Sequence, residues 1–142
     1  RALVKRTLMD MKKDPEKTLK RFYALNFTGE ELKSGGAKKF MERYGYHGPT
    51  AYNGTLFKYN EITLALEALH KTDLRSGLSK LDMPCLVIHG SSDNVCPVEA
   101  GRFLASHVKN AKFVEFDGAG HAPFITSPDR FASVLKAFVT NL

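Results

Sequence analysis

Between Pro84 and Gly90 the chain reads Cys85-Leu-Val-Ile-His89, an apolar run with no polar alternation. A strand with one wet face alternates, whereas a strand covered on both faces of a parallel sheet reads as an unbroken run. The run therefore requires helices on either side of a sheet, and the following residues supply them. Ala100, Phe103, Leu104 and Val108 mark one helix, residues 112–116 a second strand ending in Asp117-Gly118, and Ser127-Pro128-Asp129 opens a last helix. The core face of that helix carries Phe131, Val134, Leu135 and Phe138. Strand, helix, strand, helix predicts the α/β class, with part of a parallel sheet joined by right-handed crossovers.

The residues before this pattern have a different texture. Residues 2–11 begin in helical periodicity, and Asp14-Pro15 reads as an N-cap followed by proline at the first helical position. In the helix that follows, Leu19, Phe22 and Tyr23 share one face, with Lys17, Lys20 and Arg21 about opposite. Thr28 and Glu31 have capping-box spacing. Breaks are expected at Gly35-Gly36, Gly45 to Pro49 and Asn53-Gly54, and Ile62, Ala65, Leu66 and Leu69 define another helix. This gives two regions: a helical region over 1–72 and an α/β region over 73–142.

Charge follows the same division. Residues 1–58 hold 13 Lys and Arg against 6 Asp and Glu, whereas the remainder is close to neutral. A basic face of this kind can meet an acidic partner. The same lysines also read simply as a solvated face. Nucleic acid is not expected as the partner, because no recognisable binding module accompanies the charge. No apolar run reaches the 18 or so residues needed to span a bilayer, so no membrane partner is expected. Two cysteines without C-x-x-C spacing make no disulfide framework. With no signal-peptide pattern, a cytoplasmic location is expected.

In open α/β sheets, reactive groups collect beyond the carboxyl ends of the strands. Here the first strand runs out into His89-Gly-Ser-Ser-Asp93 and the second into Asp117-Gly-Ala-Gly-His121. Asp93 and His121 thus leave adjacent strands at one edge. An imidazole exchanges protons near neutral pH, and a carboxylate on its second nitrogen fixes its tautomer. Each residue also has a purely structural reading: Asp93 capping its own turn or the helix after Pro97, and His121 bonded to a backbone carbonyl. His89 reads as a packed or gate residue, and Cys96 as a small packed hydrophobe beside the acid. His47, His70 and His107 lack partners at metal-ligand spacing, so neither metal nor cofactor is expected.

These residues carry a resemblance. Leu86-Val-Ile-His-Gly-Ser-Ser-Asp93 followed by Gly118-Ala-Gly-His121 resembles the last third of an α/β-hydrolase, in which serine, acid and histidine occur in that order. Asp73-Leu-Arg75, Pro84 to Gly90 and His121-Ala-Pro-Phe-Ile-Thr-Ser-Pro128 resemble the pimeloyl-acyl-carrier-protein methyl ester esterases of biotin synthesis. The resemblance implies Asp93 and His121 as the acid and base, and residues 1–72 as a lid. It also implies aromatic side chains lining an acyl site: Phe22, Tyr23, Phe27 and Phe124, with Phe40, Tyr44 and Phe57 nearby in the lid, although most of the lid aromatics read first as helix-packing core. Lys17, Lys20 and Arg21, with Arg1, Lys5 and Arg6, are implied as a docking face for an acidic acyl carrier protein.

One departure stands out. The eight serines lie at 34, 76, 79, 91, 92, 106, 127 and 133, and none has glycine at both −2 and +2. Ser79 and Ser92 each have the first glycine without the second. With no G-x-S-x-G elbow, and with a first residue other than Met, the chain is expected to be the carboxyl-terminal part of a hydrolase about twice as long. It is then inactive alone, with the missing N-terminal half as its partner and with self-association through the sheet edge left bare. Two alternatives follow from the same residues: a non-catalytic binding domain with a basic docking surface, or a hydrolase of lactones, C–C bonds or amides.

Overall fold

The apolar run forms strand β1, Cys85–Gly90, and the second run forms β2, Ala111–Phe116. The two pair in parallel, with Cys85 opposite Ala111 and Gly90 opposite Phe116. The computed structural model describes residues 2–44 and 59–142. Among the described residues, five helices precede the strands: α1 (Ala2–Lys13), α2 (Pro15–Leu25), α3 (Gly29–Lys33), α4 (Gly35–Tyr44) and α5 (Tyr59–Lys71). A 3-10 turn covers Arg75–Lys80, α6 (Val98–His107) joins the strands, and α7 (Pro123–Thr126) and α8 (Pro128–Thr140) close the chain. The expected breaks at Gly45 to Pro49 and Asn53-Gly54, together with His47, Phe57 and the Tyr44 side chain, lie outside the described residues.

Local chemistry explains most of the boundaries. Asp14 Oδ1 accepts the Lys17 amide at 3.0 Å, which satisfies an open donor at the start of α2. At α3, Thr28 Oγ1 accepts the Glu31 amide at 3.2 Å while Glu31 Oε2 accepts the Thr28 amide at 2.8 Å, a complete capping box. The Gly35-Gly36 pair is a correction: the chain bends one residue earlier, at Ser34, and both glycines lie in the first turn of α4. Pro128 takes the first position of α8 as the sequence predicts. The 3-10 turn and α7 are too short to leave a periodicity in sequence.

The chain divides into two compact units, Arg1–Ala24 with Phe40–Asp73, and Leu25–Lys39 with Leu74–Leu142. The helical region thus ends where the composition changes, near Asp73, but residues 25–39 within it cluster with the sheet. In the first unit, α1 packs on α5, and Met11 and Leu19 are buried against Tyr23, Ile62 and Leu66. In the second, α6 covers both strands. Phe116 is fully buried beneath the Arg130 guanidinium, which lies 4.1 Å above its ring.

Candidate active site

Both strands end at the same level, since Gly90 pairs with Phe116. Hydrogen bonds then join the two loops that leave them. The Ser91 amide donates to the Phe116 carbonyl at 3.0 Å and the Ser92 amide to the Ala119 carbonyl at 2.9 Å. Ser91 Oγ accepts the Gly118 amide at 2.8 Å and donates to Asp117 Oδ1 at 3.1 Å. Gly118 sits at φ +70°, a left-handed turn that glycine adopts without steric cost.

This lacing brings Asp93 and His121 together. His121 Nδ1 lies 2.7 Å from Asp93 Oδ2, with the carboxylate 3% exposed and the imidazole 42% exposed. The other carboxylate oxygen, Oδ1, accepts the Val95 and Cys96 amides at 2.7 and 2.9 Å. The turn-capping and histidine-orienting readings of Asp93 therefore both hold, one for each oxygen. A carboxylate fixed by two backbone donors cannot rotate away from the imidazole. It selects the tautomer with hydrogen on Nδ1 and leaves Nε2 as the proton-accepting nitrogen.

The His121 backbone is fixed as well. Its amide donates to the Asn26 carbonyl at 2.9 Å, and the preceding Gly120 amide donates to both oxygens of Glu31, at 3.1 and 3.0 Å. A Cβ on Gly120 would lie 2.7 Å from Glu31 Oε2 and 2.8 Å from the Asn26 oxygen, so close approach demands glycine there. Asn26 and Glu31 carried no such signal in sequence, since their partners are some ninety positions away. His89 also gains a defined role: its Nε2 lies 2.9 Å from the Cys96 carbonyl and 3.2 Å from Asp93 Oδ2. Burial, and secondarily the Asp93 charge, push the Cys96 thiol above its ordinary pKa.

The other predicted site residues are placed as follows. Phe124 is 54% exposed and meets Phe131 edge-on at 6.0 Å between ring centres. Phe27 is 3% exposed and is a core residue of the second unit, in keeping with its helix-packing reading. Phe22, Tyr23 and Phe40 belong to the first unit, all half-buried, with Tyr23 packed on the Met11–Leu19 core. Lys17, Lys20 and Arg21 line a cleft of about 490 Å³ with Arg6, Lys13 and the carboxylates of Asp10 and Asp14. Arg21 is paired with Asp10 at 2.5 Å and holds that carboxyl below the usual carboxylate range. Lys20 is paired with Glu16 at 2.7 Å. Among the described residues, no group of three His, Cys, Asp or Glu side chains is placed to share a metal ion, and no helix is long and apolar enough to cross a membrane.

Comparison with known proteins agrees with this architecture. Residues 2–128 match the family model of the alpha/beta hydrolase fold. A pimeloyl-[acyl-carrier protein] methyl ester esterase of Aromatoleum aromaticum is 30% identical over 133 residues, covering 92% of this chain and 49% of the relative. One from Xanthomonas campestris pv. campestris is 31% identical over 133 residues, covering 94% and 50%. The chain thus spans about half the length of the curated relatives it matches. Among solved structures, a bromoperoxidase from Bacillus anthracis superposes with a TM-score of 0.81 at 22% identity, over 98% of this chain and 49% of that one. The described elements correspond to a carboxyl-terminal portion of that fold, and the chain belongs to the α/β-hydrolase family.

Proposed function

We propose that the chain supplies the acid–base pair of a serine carboxylic ester hydrolase, and that the ester is that of a pimeloyl-acyl-carrier protein. The 2.7 Å contact between His121 Nδ1 and the buried Asp93 carboxylate carries this reading. The names of the relatives support the substrate class. In the reaction, a serine hydroxyl attacks the ester carbonyl and gives its proton to His121 Nε2. The tetrahedral intermediate collapses as the imidazolium returns that proton to the departing alcohol, leaving an acyl-serine. Water then repeats the sequence, with His121 taking its proton and returning it to the serine. Asp93 keeps its negative charge throughout and stabilises the imidazolium.

No serine here has the G-x-S-x-G setting, so in this reading the nucleophile comes from an N-terminal half of the sheet outside these 142 residues, and these residues alone hydrolyse nothing. The cleft around Lys17, Lys20 and Arg21 would receive the acidic carrier protein. The test is complementation. The chain is assayed on a p-nitrophenyl ester alone and after co-expression with the serine-bearing half of a relative. Turnover only in the mixture, abolished by a serine-directed phosphonate or by His121→Ala, is the expected result. Phosphonate-sensitive turnover by the chain alone, or none in a well-assembled mixture, overturns the reading.

A second reading is favoured by one observation: Lys17, Lys20 and Arg21 line a basic cleft together with Arg6 and Lys13. The chain would then be a non-catalytic binding domain for an acidic partner. Salt-sensitive binding of acyl carrier protein, without turnover in the complemented mixture, would establish it.

A further inference from the structure

We propose that Glu31 is a positioning residue for His121, acting through the loop that carries the histidine; the inference rests on the acid–base reading above. Glu31 is the third residue of a five-residue helix, and its capping box accounts for one hydrogen bond, from the Thr28 amide. Its carboxylate does more than the box requires. Both oxygens also accept the Gly120 amide, and Oε1 accepts the Thr126 hydroxyl at 2.7 Å. Three donors from three places in the chain thus converge on one side chain. Gly120 immediately precedes His121, and Thr126 ends the short helix that follows it.

The loop from Asp117 to Ala122 is consequently held on two sides. The strand-end lacing through Ser91 and Ser92 holds one, while Glu31 and the Asn26 carbonyl hold the other. All of these groups lie in one compact unit. The chemistry of the donors sets the residue type. A capping box functions with either Glu or Gln. The Gly120 amide, however, reaches both oxygens, so it needs a side chain that accepts at both, and the amide nitrogen of Gln would turn N–H groups toward it. The carboxylate is therefore selected by the histidine loop rather than by the helix. The geometry at stake is narrow, since displacing a reacting group by about 1 Å costs on the order of 100-fold in rate.

The test reads the histidine directly and needs no turnover. In the 142-residue protein labelled with 15N-histidine, two-bond proton–nitrogen spectra report the His121 tautomer, and amide exchange reports Gly120 and His121. The native protein is expected to hold hydrogen on Nδ1. Asp93→Asn should lose that preference with the loop amides still protected; if it does not, the acid–base reading fails, whatever Glu31 does. With that control in place, Glu31→Gln should weaken the Nδ1 preference and speed exchange of the Gly120 and His121 amides by roughly tenfold or more, the size of a lost charge-assisted hydrogen bond. The amides of β1 should not change. Thr126→Val, which leaves the capping box untouched, should act in the same direction and keeps the test open if Glu31→Ala does not fold. A native tautomer and native exchange in both Glu31→Gln and Thr126→Val overturn the proposal.

Discussion

His89 approaches the carboxylate oxygen that orients His121: its Nε2 lies 3.2 Å from Asp93 Oδ2, against 2.7 Å for His121 Nδ1. The His89 imidazole is 12% exposed and also faces the Cys96 carbonyl. A hydrogen on Nε2 is therefore shared between a carbonyl and a carboxylate, both in the loop that begins at Gly90. His89 ties the start of that loop to its far end, and so fixes the acid from beneath.

Replacing His89 with Phe should leave the Cys96 carbonyl without that partner and remove one donor from Asp93. The expected loss is about 1–3 kcal/mol, the usual cost of leaving buried polar groups unsatisfied. Urea unfolding followed by circular dichroism measures it. Gly101→Ala approaches the same ring from α6, because a Cβ there would lie 2.6 Å from His89 Nδ1. It should cost a comparable 1–3 kcal/mol or so through overpacking. A midpoint unchanged in both variants would show that the ring is not held as described.

Cys96 should alkylate more slowly than a cysteine in an unfolded peptide at pH 8. The thiolate is the reactive form, and burial together with the Asp93 charge keeps the thiol protonated to higher pH. Asp93→Asn removes the second cause and should speed the reaction. The linkage has a definite sign. The folded state holds this proton more tightly than the unfolded state, so its stabilising contribution is full below the unfolded thiol pKa and is lost as pH rises through the folded one. Iodoacetamide rates followed by mass spectrometry check the first claim, and urea midpoints between pH 7 and pH 10 in Cys96→Ala against the parent check the second.

Two glycines of the histidine loop should respond differently to alanine. Gly118 has open space around it and a positive φ, so Gly118→Ala should cost about 1–2 kcal/mol of backbone strain and nothing more. Gly120 has Glu31 Oε2, the Asn26 oxygen and the Phe27 Cα within 3.1 Å of where its Cβ would be. Gly120→Ala should destabilise by at least as much, about 1–3 kcal/mol. It should also release the His121 amide to exchange, which Gly118→Ala should not. Hydrogen exchange at residue 121 separates the two.

Sequence and structure part company according to distance along the chain. The strands, α6, α8, the Asp14 cap and the Thr28–Glu31 box all depend on residues within a few positions of one another, and each is legible in sequence. Asp93 and His121 lie 28 positions apart, yet strand polarity alone brings both to one edge, so the pair is legible too. What periodicity cannot reveal is the second use of a local signal. Glu31 satisfies its capping box and also grips a loop 89 positions away. Phe27 looks like one more aromatic in an aromatic-rich segment, but this stretch of chain clusters with the sheet, so the residue is core. Gly35-Gly36 reads as a break because glycine disfavours helix interiors, yet the first helical turn tolerates it once Ser34 provides the bend.

The last expectation concerns the sheet itself. Among the described residues it has two strands, β1 and β2, so each strand has an edge with no strand beside it. Apolar side chains are exposed in the same unit: Leu74 at 74%, Met83 at 58%, and Leu135 and Val139 of α8 at 44% and 57%. Bare strand edges and apolar patches both drive association. The protein should therefore self-associate at micromolar concentrations, and Leu135→Lys with Val139→Lys should weaken that association while leaving the Nδ1 tautomer of His121 unchanged. Co-expression with a serine-bearing half-sheet should replace self-association with a one-to-one complex. Sedimentation equilibrium over a hundredfold concentration range decides the matter: a folded, strictly monomeric protein throughout would show that these edges and side chains need no partner.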